Sequence, residues 1–118
     1  MNKEKRMILN KETYTLTVGA TTVTPETGKI AGGTITYARS GNVVQVYFAN
    51  VTFSANGNSQ VIATGLPKAA LQQGIVFSNE GISRNDSVWI SGGSSTLSAN
   101  VNNKDVAHWG GMTYITTG

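Results

Sequence analysis

From Thr34 to Phe53 the chain reads TITYARSGNVVQVYFANVTF, and this stretch limits the possible folds more than any other. Ile35 and Tyr37 share one side of an extended segment, and Thr34 and Thr36 share the other. Gly and Asn in the following Ser40-Gly41-Asn42 tolerate the positive φ of a tight turn, so a hairpin is expected. Past the turn, Val44, Val46 and Phe48 take one face while Val43, Gln45 and Tyr47 take the other. The period is that of a strand. Then the parity breaks. Continued alternation would send Asn50 and Thr52 inward, yet the apolar residues are Val51 and Phe53. A shift of one residue turns every later side chain over, so a bulge or sharp bend is expected near Ala49-Asn50. A straight strand buried on both faces is the alternative.

The rest of the chain repeats this grammar in shorter phrases. YTLTV (Tyr14–Val18) alternates as a strand, and Thr21–Gly33, with Pro25 and three glycines, reads as a connection with room for a brief strand near Thr22–Thr24. Short strands are expected at Gln60–Ala63, Ile75–Ser78, Ser87–Ser91, around Leu97, Ala99 and Val101, and from Trp109 to Thr117. Turn-forming residues separate them, with Ser54–Asn58, Asn79–Asp86 and Asn102–Asp105 as connections. Only Ala69–Gln73 has the composition of a helix, and it is too short to be one. About eight strands with frequent turns describe an all-β, antiparallel β-sandwich, jelly-roll-like in character. Residues 1–12 form a charged leader, and 13–118 a single sandwich domain.

Composition removes several functions. Only 13% of residues are charged, and the net charge is +3, of which +2 sits in residues 1–12. Elsewhere no Lys/Arg cluster interleaves with aromatics, so nucleic acid is not an expected partner. The chain has no cysteine, which excludes disulfides and thiolate metal sites. Its first residues contain just Met7-Ile8-Leu9 as an apolar run, shorter than a secretory signal requires, and no stretch has the length of a membrane-spanning helix. No cofactor or metal is expected.

The order of local phrases has a precedent. GTITYARSGNVVQVYF, then VIATGLP, then glycine-punctuated strands and a closing MTYITTG resembles the C-terminal β-sandwich domains of bacteriophage tail, baseplate and fibre proteins. Gly33, Tyr37, Arg39, Gly41, Asn42, Val44, Val46, Leu66, Pro67 and Tyr114 carry the resemblance, which covers residues 33–117. KAALQQG departs from the Gly-aromatic-x-Pro run that often follows the Leu-Pro, which leaves the path after Pro67 open. The resemblance implies a virion location, a homotrimer, other virion proteins as partners, and adhesion to host cell-surface saccharide. In a trimer, Val43, Tyr47, Val51 and Phe53 would line the subunit interface. A bulge that returns them all to one core is the competing reading.

The candidates for chemistry are few. His108 has no G-x-S-x-G serine to serve, and with Asp105 alone it lacks the ligands of a metal site, so a polar turn histidine is expected there. Glu80, Asp86 and Asp105 are the carboxylates from which a small glycan hydrolase would draw its pair, although Arg84 offers Glu80 or Asp86 an ordinary ion-pair partner. No catalytic residue is assigned. For saccharide binding, an aromatic ring matches the C–H side of a pyranose while amides bond its hydroxyls. Trp109 with His108, Asp105 and Asn103 fits that pattern, and so does Trp89, on opposite parity to Val88 and Ile90. Both tryptophans also suit a core or an interface. A purely structural virion component, without glycan binding, is the second functional class.

Overall fold

The computed structural model describes residues 21–23, 25–79 and 86–117. The leader and the strand expected at Tyr14–Val18 lie outside them, as do Glu80 and Arg84. Nine strands are present among the described residues, and no helix. They are β1 (Thr21–Thr22), β2 (Ile30–Ser40), β3 (Val43–Phe53), β4 (Gly57–Ala63), β5 (Gln73–Val76), β6 (Ser78–Asn79), β7 (Ser87–Ile90), β8 (Leu97–Val101) and β9 (His108–Ile115). One sheet has the order β1-β2-β3-β9-β6 and the other β4-β8-β7-β5. Every pairing is antiparallel.

Alternation along each strand sends one set of side chains between the sheets. From the first sheet come Ile35, Val44, Val46, Phe48, Met112 and Tyr114, and from the second Ile62, Val88, Ile90, Leu97, Ala99 and Val101, all in one buried cluster. Each fully buried large aliphatic or aromatic side chain contributes about 1.5–3 kcal/mol, so this cluster is what holds two layers together as a sandwich. The pairing is nested: β3 lies beside β9, β4 beside β8 and β5 beside β7. Between β5 and β6 the chain passes from the second sheet to the first. Buried Phe77 makes that crossing and meets Phe48 edge-on, at 5.0 Å between ring centroids.

The parity break is a bulge. Opposite β9, His108 pairs with Val51 and Gly110 with Phe48, so Ala49 and Asn50 together face Trp109 alone. Asn50 takes the left-handed conformation (φ 52°), one of the few residue types that does so readily. The extra residue returns Val51 and Phe53 to the core side, where they are 0% and 2% exposed. The interface reading is thereby corrected for these two residues: they are filled-in core of their own chain. On the other side of β3, Gly33 (φ 82°) answers the same bulge. A Cβ there would sit 2.3–2.6 Å from backbone atoms of Ala49 and Asn50. For that reason Ile30–Gly33, expected as connection, belongs to β2: Gly33 marks a close approach of two backbones and not a break.

The hairpin expected at Ser40-Gly41-Asn42 is present, with Gly41 at φ 58° and the Arg39 Nε bonded to the Gly41 carbonyl at 2.8 Å. Lys68–Gln72 forms no helix; its backbone is fixed by bonds to Ser94, Ile115, Thr117 and Gly93.

Candidate functional site

Three places bring chemistry-bearing residues together: the two ends of β9 and the outer face of β7. At the start of β9, alternation turns His108 inward and Trp109 outward. His108 is 0% exposed, and so is Asp86, which immediately precedes β7. Their side chains meet at 2.7 Å, His108 Nε2 to Asp86 Oδ2, and His108 Nδ1 lies 3.0 Å from the Val51 carbonyl on the bulge. Phe53 and Phe77 approach the imidazole edge-on at 4.9 and 5.3 Å. The Asp86 carboxylate also accepts the backbone N–H of Asn102 at 2.8 Å (Oδ1) and of Asn103 at 3.2 Å (Oδ2). Burial pushes this carboxyl up, but the His108 hydrogen bond, the two backbone donors and the attraction of His108 outweigh it and hold it below the ordinary aspartate range.

This geometry overturns two expectations. His108 is neither a turn residue nor a surface ligand contact: both ring nitrogens are engaged inside the core. Asp86 leaves the set of carboxylates available for hydrolysis, because a general acid or base must reach the proton it transfers. Asp105 is exposed and lies 2.9 Å from Lys104. Asn103 is half-buried, with its amide Nδ2 shut away from solvent and without an acceptor; the Asn79 Nδ2 is in the same condition. His108, Asn103, Asp105 and Trp109 therefore do not converge on one surface. Adjacent strand residues face opposite ways, and Trp109, 37% exposed, looks outward from the first sheet across from Ser78.

Trp89 has the better-formed surroundings. On β7, Val88 and Ile90 are buried while Ser87 and Trp89 face out from the second sheet. Trp89 pairs in register with Gly74 on β5 and with Ser98 on β8. A Cβ on Gly74 would come within 2.9 Å of both the Trp89 Cβ and the Val88 carbonyl oxygen. Glycine is needed there, and its missing side chain leaves the flank of the indole open. The result is a shallow groove of about 310 Å³ bounded by Trp89, Gln72, Val76 and Ser87. None of its lining residues is charged. Sequence reasoning picked out Trp89 but not the groove. The available signal was Gly74 inside an apolar strand phrase.

The outer face of the first sheet repeats the pattern with a tyrosine. Tyr47, 57% exposed, lies in register between Thr36 on β2 and Gly111 on β9, beside a second groove of about 300 Å³. Val43 and Ile115 pair with each other on the same face, 43% and 50% exposed.

At the far end of β9, buried Tyr114 donates its hydroxyl to the Pro67 carbonyl at 2.7 Å, and Thr116 Oγ1 donates to the Lys68 carbonyl at 2.6 Å. Burial, then the charge on Tyr37, raise the Tyr114 hydroxyl to about 12 against a smaller opposing effect of Arg39. The Leu66-Pro67 phrase and the closing tyrosine, separate in the sequence, are thus one structural unit. No group of three or more His, Cys, Asp or Glu residues suited to a metal ion occurs among the described residues. No family model, curated protein or solved structure matches the chain.

Proposed function

We propose that this chain is a non-catalytic adhesion module of the phage-virion type, which binds host cell-surface saccharide through the Trp89 groove and assembles as a homotrimer. The groove carries this reading. It offers a half-exposed indole on an outer sheet face, with Gln72 and Ser87 among its lining residues and no charged residue in its lining. A ring face of this kind suits the C–H side of a neutral pyranose, and amide and hydroxyl groups bond the sugar's own hydroxyls. Two antiparallel sheets with nested strand pairing support a sandwich, and a jelly-roll-like path between them belongs to this reading. Exposed Val43 and Tyr47 on the opposite face suit contact with a second copy or with another virion protein, since aromatic and apolar side chains are enriched at the centres of interfaces.

Binding to host cells and to purified cell-wall glycan, compared between the unaltered protein and Trp89→Ala, tests the groove. The expected loss is about tenfold or more, from removal of one stacking ring. Unchanged binding by Trp89→Ala would remove the groove from the reading. No binding by either protein would favour the purely structural class. Light scattering after size exclusion tests the assembly, with a mass near three times 12.4 kDa expected.

A further inference from the structure

The buried His108–Asp86 pair has no part in the groove, and its hydrogen-bond inventory is informative. The Val51 carbonyl can only accept. The Asp86 carboxylate accepts two backbone N–H groups besides the imidazole, one on each oxygen. Each ring nitrogen of His108 therefore faces an oxygen, one a carbonyl that can only accept and the other a carboxylate.

The pair also joins separate parts of the fold. His108 and Val51 belong to the first sheet, Asp86 leads into β7 of the second, and Asn102 and Asn103 form the turn from β8 to β9. The Asp86 carbonyl further accepts the N–H of Phe77, the residue at the crossing between sheets. The groups around the ring are otherwise neutral among the described residues: Val51 and Phe53 on β3, Phe77 and Asn79 beside the crossing, Asn102 and Asn103 in the turn. Lys104 and Asp105 lie in the same turn but face each other.

We infer that the Asp86 carboxylate and His108 form a clasp between the two sheets, and that acid opens this end of the sandwich before the rest of the fold. When Asp86 takes up a proton, the imidazole and two backbone N–H groups lose a charged partner. The buried Nδ2 groups of Asn79 and Asn103, which have no acceptor in the closed state, gain water on opening. At the other end of β9 the corresponding bonds run from hydroxyls to carbonyls, which acid leaves intact.

The test is nuclear magnetic resonance on the whole chain, labelled with nitrogen-15. On acidification to about pH 3, protection of the Asn102, Asn103 and Phe77 amides from exchange is expected to fall about tenfold before that of Ala70 and Thr117 changes. The Asp86→Asn variant, where it folds, should show the same local loss at neutral pH. Unchanged protection of these amides in a folded Asp86→Asn variant at neutral pH would overturn the clasp. A simultaneous loss of protection at both ends in the unaltered protein would overturn the local opening, whether or not the variant folds.

Discussion

The two ends of β9 solve one problem with different chemistry. Each fastens a loop to the sheet with a side chain buried in the sandwich. At the start, His108 and Asp86 do it with a buried carboxylate bonded to an imidazole and leave two asparagine amides without acceptors. At the finish, Tyr114 and Thr116 do it with neutral hydroxyls bonded to the carbonyls of Pro67 and Lys68. A neutral bond tolerates the loss of one partner far better than a buried carboxylate does, because removing the carboxylate strands every group bonded to it in the core. The same strand should therefore be brittle at one end and forgiving at the other.

The sharpest way to break that comparison is to cut each fastening. Asp86→Ala is expected to cost about 3–5 kcal/mol, read as a fall in the denaturant midpoint. Tyr114→Phe should cost about 1 kcal/mol, the worth of one hydrogen bond. Equal costs would mean that the buried carboxylate is no more critical than the phenol.

Solution pH separates the ends without mutation. The folded Asp86 carboxyl is held below its unfolded value, so its contribution is complete above the ordinary aspartate range and disappears as pH falls through the lower folded value. Tyr114 is shifted the other way, to about 12. Its contribution is complete below about 10, the unfolded tyrosine value, and is lost as pH rises from there toward the folded one. Thermal unfolding across the pH range should show both limbs. Tyr114→Phe should blunt only the alkaline one.

The outer faces allow a finer contrast. Trp89 and Tyr47 each lie in register beside a glycine, but the glycines differ. A Cβ at position 74 meets the Val88 carbonyl oxygen and the Trp89 Cβ at 2.9 Å, whereas at 111 the nearest atom is the Val46 carbonyl oxygen at 3.9 Å. Gly74→Ala should cost about 1–3 kcal/mol through overpacking, while Gly111→Ala should be neutral or slightly stabilising, by a few tenths to about 1 kcal/mol. The smallest effect belongs to the exposed Lys104–Asp105 pair. Lys104→Ala is expected to change the unfolding midpoint by an amount within about 0.5 kcal/mol.

Much of this architecture is legible in the sequence because period-two patterning reports directly on which face is buried. The hairpin at Gly41-Asn42, the bulge at Ala49-Asn50 and the outward turn of Trp89 all follow from counting parity. What counting misses is partnership across the sandwich. Asp86 stands in a polar phrase and His108 beside a surface tryptophan, so neither position suggests a core. Only folding brings them within 2.7 Å, supplies the Val51 carbonyl, and makes two polar residues mutually buriable. Gly33 misleads for the opposite reason: glycine signals a turn locally, yet here it admits a neighbouring backbone. The Trp89 groove is half legible, since the tryptophan's parity is visible and the register that sets Gly74 beside it is not.

The outermost strands of the first sheet, β1 and β6, are each two residues long. A strand so short presents almost no row of unpaired donors and acceptors for another chain to copy. Among the described residues, this sheet is therefore poorly suited to grow sideways into a continuous ribbon. Copies that meet through this sheet would do so broadside, through side chains whose shapes must match, while the longer outer strands β4 and β5 give the second sheet margins of another kind. Short margins would thus direct association of the first sheet to its face.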